Sequence, residues 1–416
     1  MLVEFSIQNH RSFRSKQSFL MTAIEDNAEN AVATGNSGAP YVLRQACLFG
    51  ANGSGKSGLI MSMDTVSRII SDSFKDEQSL KKNYEPHLFH SNWRNEPTEF
   101  EVTFLHDSSL FQYGFNYNAE RVLEEWLFER PSSTGRQRQI FTRKYKGDES
   151  YDWDIIEANL KGERESWKAQ TRHNALFLST AIHLNAEPLK RPFNWLIRGL
   201  RTISDIGYIG QYTASRFDED VWKGRVIEFL SDIDLQLEDV DVIEKNYFET
   251  DSFQKLPTKD QDQLKSILPE HKVFEIYTYR IDDKGEKQLL EFKDESRGTR
   301  EFFKLIGPIL STLDKGYTLV VDELNTHLHP LAFRYIIRLF CSPKSNKNNA
   351  QLIFTTHDST VTDEDCIGRD QIWLVDKGDD LASRLIPFSD YKENDKRPFH
   401  KGYLQGRYGA VPRLAG

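Results

Sequence analysis

Three stretches of the chain hold the residue types that phosphate chemistry requires. Gly50-Ala51-Asn52-Gly53-Ser54-Gly55-Lys56-Ser57 fits the pattern G-x-x-x-x-G-K-[ST], follows an apolar run ending at Phe49 and precedes a helical run. In that setting glycines let a loop wrap phosphates with backbone N–H groups, and the helix start adds a favourable dipole. Gly50, Ala51, Asn52, Gly53, Ser54, Gly55, Lys56, Ser57 and Gly58 are therefore the expected nucleotide ligands, with Lys56 on the β and γ phosphates and Ser57 on magnesium. Thr318-Leu319-Val320-Val321-Asp322-Glu323 is an apolar strand ending in two carboxylates, the arrangement found where a parallel sheet meets a nucleotide at its carboxyl edge. Asp322 is expected to hold the magnesium through water, and Glu323 to accept a proton from the attacking water. Phe354-Thr355-Thr356-His357 repeats the pattern of strand then polar residue and puts His357 at the same edge, within reach of a γ phosphate. ATP and Mg2+ are thus the expected cofactors, and Lys56, Glu323 and His357 the expected catalytic set.

A fourth stretch, Glu295-Ser296-Arg297-Gly298-Thr299, directly precedes an amphipathic helix with Phe302, Leu305, Ile306, Ile309 and Leu313 on one face. Ser296 reads either as the N-cap of that helix or, with Gly298, as part of a second anion site facing a nucleotide held by another subunit.

These residues need elements to hold them, and the hydrophobic pattern predicts an α/β fold. Residues 1–150 read as an N-terminal half: strands at Leu2 to Gln8, Gln17 to Ala23 and Tyr41 to Phe49, the phosphate loop, then an antiparallel meander. The meander strands are Phe100 to Leu105, Leu110 to Tyr117, Val122 to Phe128 and Ile140 to Tyr145. Residues 151–270 carry longer charged segments with helical patterns around Ser166 to Thr202 and Asp218 to Leu230, and read as an inserted, mainly helical lid. Residues 271–416 return to a sheet through a hairpin, Lys272 to Tyr279 and Gln288 to Phe292 around Asp282-Asp283-Lys284-Gly285, and then alternate helices and buried strands as in a mostly parallel sheet.

Composition excludes several classes. With 38% hydrophobic and 28% charged residues and no apolar stretch near the ~20 needed to cross a bilayer, no membrane partner is expected. The start, Met1 to Ile7, alternates like a strand and lacks the basic head and apolar run of a secretory signal, so a cytoplasmic location is expected. Cys47, Cys341 and Cys366 are far apart and without metal-ligand spacing, and read as reduced thiols. A net charge of −9 disfavours a general nucleic-acid coat, although a local basic patch leaves nucleic acid open as a partner. Lys392 to Arg413 mixes basic and aromatic residues and reads as a tail packing its aromatics on the rest of the protein.

In this order the motifs resemble the ATP-binding-cassette superfamily, and more narrowly its SMC-like and RecF-like branch with the OLD-type and RloA/AbiL-type ATPases of bacterial phage defence. The resemblance implies an ABC-type P-loop ATPase head, a mostly parallel sheet with flanking helices plus an antiparallel β subdomain. It makes Gly50 to Ser57 the Walker A loop, Ser296 to Thr299 the signature, Asp322-Glu323 the Walker B pair and His357 the switch histidine. Phe5 to Phe13 resembles the family's strand followed by Asn-Phe-Arg-Ser, with His10 in place of the phenylalanine, and implies that Arg11 approaches adenine or phosphates. Leu324 to Pro330 resembles the D-loop region of the defence branch, and Tyr403 to Pro412 its closing motif. Two positions depart from the pattern: the magnesium-sensing glutamine has no clear counterpart, and Arg297 stands where a second signature glycine is usual.

The function this implies is an ATPase that dimerises, or assembles further, around ATP and regulates a separately encoded effector, expected to be a nuclease, in anti-phage defence. The stretch after His357 is too short for the TOPRIM nuclease that OLD-type relatives carry. Two alternatives stand beside it: a RecF-like DNA-binding repair ATPase, and a scaffold that uses nucleotide to sequester a toxin.

Overall fold

Apolar runs without polar alternation become strands covered on both faces. In the computed structural model, which describes residues 1–24, 30–204, 210–233, 237–267, 272–391 and 398–412, Gln45–Phe49, Thr318–Val321 and Gln351–Thr355 are buried at every position. They form the middle of a six-stranded sheet ordered Leu200–Ile203, Thr318–Val321, Gln351–Thr355, Gln45–Phe49, Ile372–Lys377 and Ser383–Pro387. The first five are parallel and the last returns antiparallel. Val321 pairs with Phe354 and Thr355 with Leu48, so the carboxyl ends of these strands lie level and their following loops emerge together.

The alternating segments form a seven-stranded antiparallel sheet ordered Tyr151–Ile155, Arg138–Tyr145, Val122–Pro131, Ser109–Tyr117, Thr98–His106, Leu2–Gln8 and Gln17–Leu20. Its inward Phe100, Phe104 and Tyr113 share one core with Leu59, Met63, Val66 and Ile70, the buried face of the helix Lys56–Asp72. Phe19 meets Trp373 at 5.0 Å between ring centroids, joining this core to the parallel sheet. A fully buried ion pair, Arg143 Nε to Glu125 Oε2 at 3.1 Å, is completed by the N–H groups of Phe177 and Leu178, which donate to the Glu125 carboxylate and start the helix Phe177–His183.

All of this belongs to one compact unit, residues 1–204, 312–324 and 336–416. A second unit takes residues 205–311 and 325–335. It holds the helices Asp220–Asp232 and Thr258–Ile267 and a three-stranded antiparallel sheet ordered Asp239–Asn246, Lys272–Ile281, Lys287–Glu291. Trp222 anchors its core and donates its indole N–H to the Thr213 carbonyl at 3.1 Å.

The boundaries differ from those predicted. Tyr151–Ile155 completes the antiparallel sheet and Leu200–Ile203 joins the parallel one, so the first half of the supposed lid belongs to the first unit. The hairpin expected to open the C-terminal half instead builds the small sheet of the second unit, which is mixed α and β. A four-residue edge strand running on from a helical pattern, as at Leu200–Ile203, has too few residues to show a period. Cys341 and Cys366, expected as separate thiols, are joined in a disulfide with Cα atoms 6.1 Å apart, a pairing made by the fold and not encoded in their spacing. Cys47 is free and buried. Residues 392–397 and Arg413 of the basic C-terminal segment lie outside the described residues; within it, Phe399 and Tyr403 pack on Phe49 at 5.2 and 5.7 Å. No described helix is long and apolar enough to cross a membrane.

Candidate active site

The loop between Phe49 and the helix Lys56–Asp72 is shaped by its glycines. Gly53 and Gly55 have φ of 74° and 118°, a region that L side chains rarely adopt, and a Cβ on Gly50 would strike the Val375 carbonyl. Gly55 caps the helix without any side-chain hydrogen bond, so the first-turn N–H groups, which have no intrahelical acceptor, are left for an anion. Lys56 is nearly buried and donates to the carbonyls of Gly50 at 2.7 Å and Ala51 at 3.2 Å. Burial pushes its ammonium below the ordinary lysine value, while the carboxylates of Asp322 and Glu323 pull the other way.

An open pocket of about 540 Å³ gathers Asn52 to Gly58 with Arg11, Ser12, Glu323, His357 and Lys377. Glu323 enters from the end of Thr318–Val321 with a left-handed backbone, φ 49°, the kind of outlier that clusters at working sites. Its N–H donates to Thr355 Oγ1 at 2.7 Å, and the same hydroxyl donates to Asp322 Oδ1 at 2.6 Å. One threonine at the end of the neighbouring strand thus fixes both acidic residues. His357 Nε2 stands 3.7 Å from Glu323 Oε1, with both side chains about half exposed. Arg11, also left-handed at φ 53°, forms an ion pair with Glu85 at 2.5 Å and reaches the Met61 sulfur at 2.8 Å, on the second turn of the loop's helix. The turn behind it is fixed by His87, whose backbone N–H donates to Asn9 Oδ1 and whose Nδ1 lies 3.0 Å from the Arg11 carbonyl.

Of the residues predicted from sequence, the pocket brings together Arg11, Asn52 to Gly58, Glu323 and His357. Gly50 and Ala51 lie beneath, holding Lys56 through their carbonyls, and Asp322 is drawn to Thr355 beside the pocket wall. Ser296 and Gly298 belong to the second unit. There Ser296 Oγ accepts the Thr299 N–H at 3.1 Å, the cap of the helix Arg297–Lys315. Three contributors were missed: Ser12, Thr355 and Lys377. Thr355 and Lys377 end strands of the parallel sheet, and that position, the carboxyl edge of an α/β sheet, was the available signal.

The arrangement fits a nucleoside polyphosphate with its magnesium. The loop offers a tightly packed turn with no room for a Cβ at Gly50 or Gly55, a lysine resting on neutral acceptors, a buried Ser54 hydroxyl without a hydrogen-bond partner among the described residues, and a carboxylate beside a histidine. No curated protein matches the chain. A family described as "AAA domain, putative AbiEii toxin, Type IV TA system" matches residues 46–363, which takes in the loop, both carboxylates and His357. With that match over well more than half its length, the chain belongs to this AAA-domain family of P-loop ATPases.

Proposed function

We propose that the chain binds ATP with Mg2+ in this pocket, hydrolyses it as two or more copies closed around nucleotide, and so governs a separate effector, a nuclease, in defence against phage. The catalytic part is carried by the single pocket in which Lys56, Glu323 and His357 converge. Lys56 exchanges the Gly50 and Ala51 carbonyls for β and γ phosphate oxygens, replacing neutral acceptors with charged ones. Magnesium, when bound, neutralises charge developing on the phosphates, and Ser57 and Asp322 are the residues of this chain that would hold it. Glu323, held at its backbone by Thr355, accepts the proton of the attacking water, and His357 orients that carboxylate and the γ phosphate.

The defence setting draws support from the family description, which names a toxin and a type IV toxin–antitoxin system. Closure around nucleotide biases an effector only through the difference in its affinity for the open and closed states, so the effector must touch a surface that changes on closure. Ser296 and Gly298 are assigned to the nucleotide of a second copy.

Nucleotide titration and phosphate release test the catalytic reading. Lys56→Ala should weaken ATP binding at least ~10²-fold, whereas Glu323→Gln should keep ATP bound and slow turnover by ~10²-fold or more. Parental turnover in the glutamine variant would move the base elsewhere. For the effector, phage challenge of cells expressing this gene alone should give no protection, and full protection would overturn the partner.

A further inference from the structure

The strand Gln45–Phe49, which leads into the phosphate loop, has two unlike neighbours. On one side lies Gln351–Thr355, which runs on to His357, and beyond it Thr318–Val321, which carries Glu323. On the other lies Ile372–Lys377, with Leu374 opposite Phe49. Lys377 therefore closes the pocket from the flank away from Glu323 and His357.

The ladder also fixes which way Lys377 projects. It stands directly opposite Ser383, and residues directly opposite across an antiparallel pair share a face. Ser383 is locked against the loop: its hydroxyl donates to the Ser54 carbonyl, its N–H donates to the Ser12 carbonyl at 2.7 Å, and a Cβ on Gly55 would strike its hydroxyl. Lys377 thus lies alongside the Ser54–Gly55 turn. Asp380, the carboxylate of the turn that follows, is taken by Arg14 at 2.7 Å and Arg384 at 3.8 Å. Among the described residues none pairs with the Lys377 ammonium, which is half-buried at the pocket wall.

We infer that Lys377 binds the part of the nucleotide common to ATP and ADP, the α and β phosphates, and so sets how tightly the product is retained. This rests on the proposed ATP site. If hydrolysis occurs beside Glu323, the γ phosphate lies on that flank, and a cation on the opposite flank meets what remains. A charge-assisted hydrogen bond to phosphate from a half-exposed lysine changes affinity by about tenfold.

Fluorescent ATP and ADP analogues titrated against Lys377→Met, which keeps the length of the stem, decide the matter. Both affinities should fall about tenfold with their ratio unchanged, and Lys377→Arg should restore both to within about threefold of the parent. Unchanged affinity for both nucleotides would overturn the inference. So would a loss confined to ATP, which puts the ammonium at the γ phosphate, or a loss that tracks a lowered nucleotide-free thermal midpoint and is not restored by arginine. A parent protein that binds neither analogue would instead sink the ATP site itself.

Discussion

The helix that starts at Lys56 and the helix that starts at Arg297 both open on glycine, a hydroxyl residue and a cation, yet they use their first N–H groups differently. At the first, Gly55 caps with a left-handed backbone and no side chain, so among the described residues no side chain caps the donors of the opening turn at the pocket. At the second, Ser296 spends its hydroxyl on the Thr299 N–H, and a Cβ on Gly298 would meet the His327 carbonyl at 3.3 Å and the Ser296 hydroxyl at 3.9 Å. A glycine near a helix start is therefore no sign of an anion site by itself. What counts is whether the backbone donors have already been satisfied and whether the glycine is conformationally required.

Substituting both glycines breaks or sharpens that contrast. Gly55→Ala forces alanine to φ 118° and into the hydroxyls of Ser383 and Ser12, so it should cost about 3 kcal/mol and abolish nucleotide binding. Gly298→Ala, at ordinary backbone angles, should stay within about 1 kcal/mol. Thermal unfolding of the two variants reads the difference, and equal damage at both would erase the distinction.

Acid adds a second handle on the first start. His10 lies in the turn that presents Arg11 and Ser12 to that helix. It is fully buried against Phe100, with neither ring nitrogen hydrogen-bonded among the described residues. Burial, helped by the charges of Arg11 and Arg68, lowers its pKa to about 3, so the fold holds it neutral. Protonation therefore favours the unfolded chain. This contribution to stability is fully present above the unfolded pKa of 6.5 and is lost as pH falls toward 3, at about 1.4 kcal/mol per pH unit. Between pH 7 and pH 5, His10→Phe should lose about 2 kcal/mol less than the parent, measured by denaturant titration. Identical pH dependence would show that the ring is not held neutral.

The smallest effect is expected at the second start. Ser296→Ala should remove a cap worth about 1 kcal/mol and leave ATP affinity of the dilute chain intact, while lowering turnover where a second copy must close on the nucleotide. Unchanged turnover would leave Ser296 as a helix cap alone.

The loop, the acidic pair and the histidine were legible because each constrains its neighbours. Gly50 and Gly55 leave no room for a side chain, and the runs before Asp322 and His357 must be apolar to lie buried in a parallel sheet. Thr355 was not legible as a holder of Asp322 and Glu323, since its role depends on a register between strands far apart in sequence. Lys377 was hidden for the same reason, because only the pairing with Ser383 sets it beside the loop. Residues 151–270 were read as mainly helical in part because the strand Asp239–Asn246 is rich in charge and resembles a solvated helix face.

The strand order also sets a timetable for synthesis. Gln45–Phe49 emerges early, but its partners on both sides, Gln351–Thr355 and Ile372–Lys377, follow roughly three hundred residues later. The antiparallel sheet draws only on residues 2–155 and can form while the chain is still being made. Until the last strands arrive, the apolar strand leading into the phosphate loop has both edges unpaired, open to other chains or to a chaperone. Ribosome-bound chains truncated before residue 351 would therefore carry a folded antiparallel sheet beside a phosphate loop that has yet to take shape.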